Sequence, residues 1–84
     1  MTVSEWNELL DHAQTLCNKL AEHGYYVTPC PYYLHDGGKG IELQVHDSTG
    51  GLYTTYASGS STYYGVESLK KALDKNAERI LREC

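Results

Sequence analysis

The side chains able to do chemistry in this chain are four histidines, His12, His23, His35 and His46, and three cysteines, Cys17, Cys30 and Cys84. These are the residue types of a zinc site, which needs a converging tetrahedral set. Their spacing does not supply one. His35 and His46 stand at opposite ends of one hairpin arm, ~20 Å apart at strand rise. His12 and His23 are about three helical turns apart, or ~16 Å. Cys30 and His46 come nearest, across the hairpin, and two ligands do not close a structural site. No metal and no cofactor is expected. Nucleophilic catalysis has no better support. Cys30 lies between Pro29 and Pro31 with no basic neighbour in sequence to lower its pKa. Cys17 falls on a helical core stripe and Cys84 is a terminal thiol. No catalytic residue is assigned, and the chain reads as a non-enzyme.

Three further patterns concern anions. Asp36-Gly37-Gly38-Lys39-Gly40 has the residue types of a phosphate loop but not the GxxxxGK[ST] spacing, and it joins two strands rather than a strand and a helix. It reads as a hairpin turn that needs positive φ. Ser58-Gly59-Ser60-Ser61-Thr62 leads toward a helix N-terminus, where amides and dipole favour negative charge. It reads as a flexible loop ending in a Ser or Thr cap. Lys71, Lys75, Arg79 and Arg82 form an outward stripe on the last helix, the kind of stripe that touches phosphates. Glu67 and Glu78 pair with Lys71 and Arg82 at i,i+4 and dilute its field.

The remaining signal is aromatic. The chain has eight tyrosines and no phenylalanine. All eight lie between residues 25 and 64, as the pairs Tyr25–Tyr26, Tyr32–Tyr33 and Tyr63–Tyr64 and the single residues Tyr53 and Tyr56. A buried hydroxyl must find a partner, so a chain that uses only the amphipathic ring keeps many rings half wet, as at recognition surfaces.

The elements that position these groups follow from periodicity. A helix over about 3–23 opens with the capping box Thr2-Val3-Ser4-Glu5. It carries Val3, Trp6, Leu9, Leu10, Ala13, Leu16, Cys17 and Leu20 on one stripe and ends at Gly24. Strands follow over about 25–34, 41–46 and 52–57, and Ile41 to His46 alternates strictly. A second helix over about 66–82 buries Val66, Leu69, Leu73, Ala77 and Ile80. Short turns make the strands an antiparallel meander. The fold class is therefore α+β, one two-layer α-β-β-β-α domain of 84 residues with both helices on one sheet face.

That layout leaves the second sheet face open. Closing the first turn over residues 35–40 pairs Tyr32 with Leu43 and Cys30 with Val45. The open face is then Tyr33, Glu42, Gln44, His46, Tyr53 and Thr55, with Tyr25 and Val27 at its margin, while Tyr32 and Tyr56 fill the core. A one-residue slip would exchange the faces. Pro29 and Pro31 both lack an N–H and fit an edge strand with its unpaired side toward solvent.

The helix–three strands–helix order resembles that of double-stranded-RNA-binding domains over nearly the whole chain. That resemblance implies RNA contacts from the second helix and the first hairpin loop. Here Ser68-Leu69-Lys70-Lys71-Ala72-Leu73-Asp74 departs from the family's Lys-Lys-x-Ala-Lys type run, and His35-Asp36-Gly37-Gly38-Lys39-Gly40 lacks its Gly-Pro-x-His type motif. The first helix, which touches RNA in that family, is acidic.

Net charge is −4, yet five of the seven basic residues sit in the last twenty. Overall acidity disfavours non-specific binding to nucleic acid. There is no apolar run for a membrane span and no leader, and the three cysteines show no CxxC spacing. From Met1 onward the chain reads as a complete cytoplasmic product. The expected function is a protein-binding module using Tyr25, Tyr33, Glu42, Gln44, His46, Tyr53 and Thr55, toward a protein partner or a second copy in a homodimer. In size, charge and composition it is similar to virus-encoded inhibitors of nucleic-acid-handling enzymes, anti-CRISPR proteins among them. The alternative is a nucleic-acid-binding domain using exposed tyrosines and Lys71, Lys75, Arg79 and Arg82.

Overall fold

The computed structural model describes residues 1–84 as α1 (Val3–Glu22), β1 (Tyr26–Tyr33), β2 (Lys39–His46), β3 (Leu52–Ala57) and α2 (Val66–Glu83). The architecture is α+β, in the order the periodicity predicts. The capping box is formed: Glu5 N–H donates to the Thr2 hydroxyl at 3.1 Å, and Thr2 N–H donates to the Glu5 carboxylate at 2.9 Å. That second bond is the main reason the Glu5 carboxyl is held below its usual pKa. The core joins Leu9, Ala13, Cys17 and Leu20 of α1, Ile41, Leu43 and Val45 of β2, Tyr56 of β3, and Leu69, Leu73, Ala77 and Ile80 of α2. Val3, expected on the buried stripe, is 77% exposed because it precedes the first turn that reaches the sheet.

The sheet runs β1-β2-β3, antiparallel throughout, with β1 and β3 as edges. Both hairpin turns are built alike. Gly37 N–H donates to the Leu34 carbonyl and Leu34 N–H to the Gly38 carbonyl, while Gly50 N–H donates to the Asp47 carbonyl and Asp47 N–H to the Gly51 carbonyl. Each is a three-residue loop closed by a glycine at positive φ, 86° at Gly37 and 89° at Gly50. In the second turn the Asp47 carboxylate accepts from the Thr49 hydroxyl and from the amides of Thr49 and Gly51, which lowers its pKa.

The first turn is thus shorter than the glycine count suggests, and this moves the register. Leu43 pairs with Pro29 rather than Tyr32, a shift of three residues. An odd shift exchanges the faces of β1. Val27 packs against the core and Tyr25 beside it, while Tyr32 lies on the open face opposite Gly40. β2 pairs with β3 through Leu43 with Tyr56 and Val45 with Thr54, which keeps Tyr56 in the core and Thr55 on the open face.

Gly38 and Gly40 belong to close approach rather than to the turn. A Cβ at Gly40 would fall on the Gly59 carbonyl and the Tyr32 ring, and one at Gly38 on the Ser60 and Thr62 hydroxyls. Tyr32 reaches past Gly40 and its hydroxyl donates to the Gly59 carbonyl at 2.8 Å and accepts from the Gly59 N–H at 3.1 Å. Alongside, Ser58 N–H donates to the Ile41 carbonyl and Ser61 N–H to the Lys39 carbonyl. The amides of Ile41 and Lys39 donate in return to the Ser58 and Ser61 hydroxyls. The stretch read as a flexible loop is therefore sewn to β2 beyond the end of β3, and its hydroxyls replace strand carbonyls. The cap expected from it is absent, since Gly65 is the N-cap of α2 and offers no side chain.

Gly40→Ala is expected to cost about 2 kcal/mol, or roughly 10 °C in Tm, by displacing Tyr32, measured by thermal unfolding. Burial raises the Cys17 thiol pKa to about 11. Under native conditions Ellman's reagent should modify Cys30 and Cys84 and reach Cys17 only on unfolding.

Candidate protein-interaction surface

The registers order the open face into rows across the three strands. The first is Tyr26, His46 and Leu52; the second Thr28, Gln44 and Thr55; the third Cys30, Glu42 and Ala57. A fourth row, Tyr32 over Gly40 with Gly59 beyond it, is closed by the hydroxyl bonds to Gly59. Two side-chain bonds lie within the face: Thr28 Oγ1 to His46 Nε2 at 3.1 Å, and Gln44 Nε2 to Glu42 Oε1 at 2.8 Å. They hold the middle of the face flat and polar.

Of the residues expected on this face, Glu42, Gln44, His46 and Thr55 stand together there. Tyr33 and Tyr25 do not. Tyr33 is opposite Lys39 on the helix side, with its ring 6.1 Å from Trp6 of α1 and Lys39 Nζ 6.0 Å from the same indole. Tyr25 is half-buried against the core. Their neighbours Tyr26 and Tyr32 take the open face instead, because the shorter turn exchanges the two members of each pair. Cys30 likewise stands opposite Glu42 rather than Val45, two rows from His46. Tyr53 is 66% exposed but sits in a β-bulge, where Thr54 pairs with Val45 and Leu52 with His46, so strand alternation does not assign it a face.

Three large exposed side chains stand at one end of the sheet, while Tyr33 and Leu34 are exposed at the other. Tyr26 is 64% exposed, Leu52 58% and Tyr53 66%. Two shallow clefts of about 310 and 270 Å³ flank that end and share Tyr26, His46, Asp47 and Ser48. Leu52 and Tyr26 were not reached from the residue pattern. The bulge brings Leu52 beside His46, and nothing in Leu52-Tyr53-Thr54 signals a bulge.

The face contains no Lys or Arg. The basic residues are elsewhere and only partly free. Arg79 leans over the Tyr56 ring, 4.9 Å from its centroid, and reaches the Glu83 carboxylate at 3.4 Å. Lys70 lies between Glu8 and Glu67, 3.7 Å from each. Lys71, Lys75 and Arg82 form no ion pair. Lys71 and Lys75 instead line a groove of about 470 Å³ between α2 and the end of β3. The expected four-residue stripe is therefore interrupted at Arg79. No three His, Cys, Asp or Glu side chains converge as metal ligands, and no helix is long and apolar enough to cross a membrane. No family model, curated protein or solved structure matches the chain.

Tyr56, which anchors α2 on β3, gives a pH test. Burial first, then its hydroxyl bond to Glu83, raises its phenol from 10.0 to about 12. The fold prefers the neutral phenol, so this contribution is complete below pH 10 and is lost as pH rises toward about 12. Alkaline denaturation of Tyr56→Phe should lack the part of the stability loss that the wild type shows across that window.

Proposed function

We propose that this protein is a non-enzymatic protein-binding module whose contact surface is the open sheet face, centred on the Tyr26–His46–Leu52 row. The observation that supports this most is the exposure of Tyr26 and Leu52 together in the end row of a face that neither helix covers, with exposed Tyr53 in the adjoining bulge. Aromatic rings rimmed by satisfied polar groups are the pattern of a binding centre with a specific surround.

Size sharpens the reading. Three strands at 4.8 Å spacing and eight residues at 3.3 Å rise make a face of roughly 400 Å². A stable interface buries about 800 Å² per partner. The face alone is too small, so the contact extends over the Asp47–Gly51 turn and Tyr53. With Glu42 and Asp47 as its charged groups and no cation, the surface suits a basic target better than a phosphate backbone. A nucleic-acid-facing surface of an enzyme has that character, which is the way an inhibitor of the anti-CRISPR kind would act. The three free thiols suit a reducing compartment such as the cytoplasm.

Photo-crosslinking tests the reading. With p-benzoylphenylalanine at position 26 or 55, a discrete adduct is expected in cells of the native host, and none with the group at Gln14 or Glu22. Tyr26→Ser with Leu52→Ser should cut the adduct from position 55 about ten-fold while circular dichroism stays native. Mass spectrometry of the adduct separates a foreign protein from a second copy. Equal adducts from helix and sheet positions would remove the face from consideration.

A further inference from the structure

The two edges of the sheet are not alike. Ile41 exchanges its backbone groups with Ser58, on the β3 side. Alternation then turns the odd residues of β2 toward β3 and the odd residues of β1 toward solvent. Pro29 and Pro31 are odd residues of β1, so that edge has lost two of its donors. On β3 the same alternation points the N–H and C=O of Thr55 and Ala57 outward. There is no proline and no charge from Leu52 to Ala57.

The β3 edge also has room beside it. Two helices about 10 Å across, with axes about 9 Å apart, make a layer wider than three strands at 4.8 Å spacing. The excess falls beside β3. Helix α2 lies over that strand, through Arg79 on the Tyr56 ring and the Glu83 bond to the Tyr56 hydroxyl at 3.0 Å. It also reaches past the strand, since Asn76 Nδ2 donates to the outward carbonyl of Ala57 at 3.1 Å. The groove of about 470 Å³ is this overhang, bounded by Ala57, Gly59, Tyr64, Lys71, Ala72 and Lys75.

We propose that the edge of β3, free at Thr55 and closed at the Ala57 carbonyl by Asn76, forms with the groove it leads into beneath α2 a strand-addition site for an extended acidic peptide segment, whose main chain pairs with Thr55 and whose carboxylates meet Lys71 and Lys75. This goes beyond the open-face reading: of that face's residues it uses only the main chain of Thr55 and Ala57, and its charged contacts are on α2. The occupant follows from chemistry. A strand edge offers main-chain donors and acceptors, which a polypeptide can match and a nucleic acid cannot. Neither Lys71 nor Lys75 forms an ion pair within the protein, and both line the groove that begins at Ala57. A second copy is the poorer fit. Its own β3 carries no charge, and two-fold pairing of β3 with β3 would bring two overhanging α2 helices onto the same side, each presenting lysines to the other.

Fluorescence anisotropy with defined peptides tests this. The probe is a labelled twelve-residue peptide alternating Glu and Val, with two controls, one with Lys in place of Glu and one N-methylated on alternate amides. Saturable binding of the Glu peptide is expected. Affinity should fall about ten-fold or more for each control and for Lys71→Glu with Lys75→Glu, as loss of charge complementarity or main-chain pairing requires. Both lysines are exposed on the helix surface, so the double variant should keep its circular dichroism. Slowed amide exchange at Thr55 in the bound state is the second readout. Tyr26→Ser should bind the peptide unchanged, which separates this site from the open face. No saturable binding, or equal binding of the N-methylated peptide, would overturn the proposal. So would tighter, lysine-dependent binding of a twelve-nucleotide RNA, or a dimer in sedimentation equilibrium that Thr55→Pro dissolves.

Discussion

The Tyr32 hydroxyl takes both backbone groups of Gly59, and the Tyr32 ring rests where Gly40 leaves out a side chain. That contact bridges β1, β2 and the β3–α2 connection at once. With the Ser58 and Ser61 hydroxyls bonded to β2 amides, it makes a serine-rich segment behave as an extension of the third strand. Helix α2 begins only five residues after Ser61, so its position over β3 depends on this stitching. A glycine hydrogen-bonded through both its N–H and its C=O has little freedom left, and the two bonds offset part of the entropy that ordering such a segment costs.

Once α2 is placed, the charges sort themselves. Helix α2 meets α1 through Lys70, which pairs with Glu8, and through Asp74, whose carboxylate lies 2.7 Å from His12 Nε2. Arg79 turns inward to Tyr56 and Glu83. Lys71, Lys75 and Arg82 remain without ion pairs, and the two lysines line the groove beside β3. The open face keeps no cation at all. An apparently uniform basic stripe is thereby divided between structural pairing and a groove, and the tyrosine-bearing face is left free of positive charge.

The helices, the capping box of α1 and most of both buried stripes were legible because a 3.6-residue period is a local property of the chain, whereas the N-cap of α2 is Gly65 rather than a hydroxyl. Ile41, Leu43 and Val45 were legible as core by strict alternation, and so the Glu42, Gln44 and His46 face followed. The prolines marked β1 as an edge for a reason also contained in the residue itself. The first hairpin was not legible, because a glycine can serve a turn or a close approach. Only Gly37 has the positive φ of the turn. Gly38 and Gly40 are glycines because hydroxyls and a ring from residues far along the chain occupy the space of their Cβ atoms.

The sequence by itself determined the element order, the two-layer arrangement, the edge character of β1 and the inward face of β2, since each rests on local periodicity or on a missing N–H. Tertiary structure alone decided which member of Tyr25–Tyr26 and of Tyr32–Tyr33 takes the open face, which cations stay unpaired, and which backbone groups of β3 point away from β2. Those outcomes depend on register, and a shift of three residues leaves the pattern of β1 equally amphipathic while turning every side chain over. Contacts between distant residues, Tyr32 with Gly59 and Gly40 above all, select between the two.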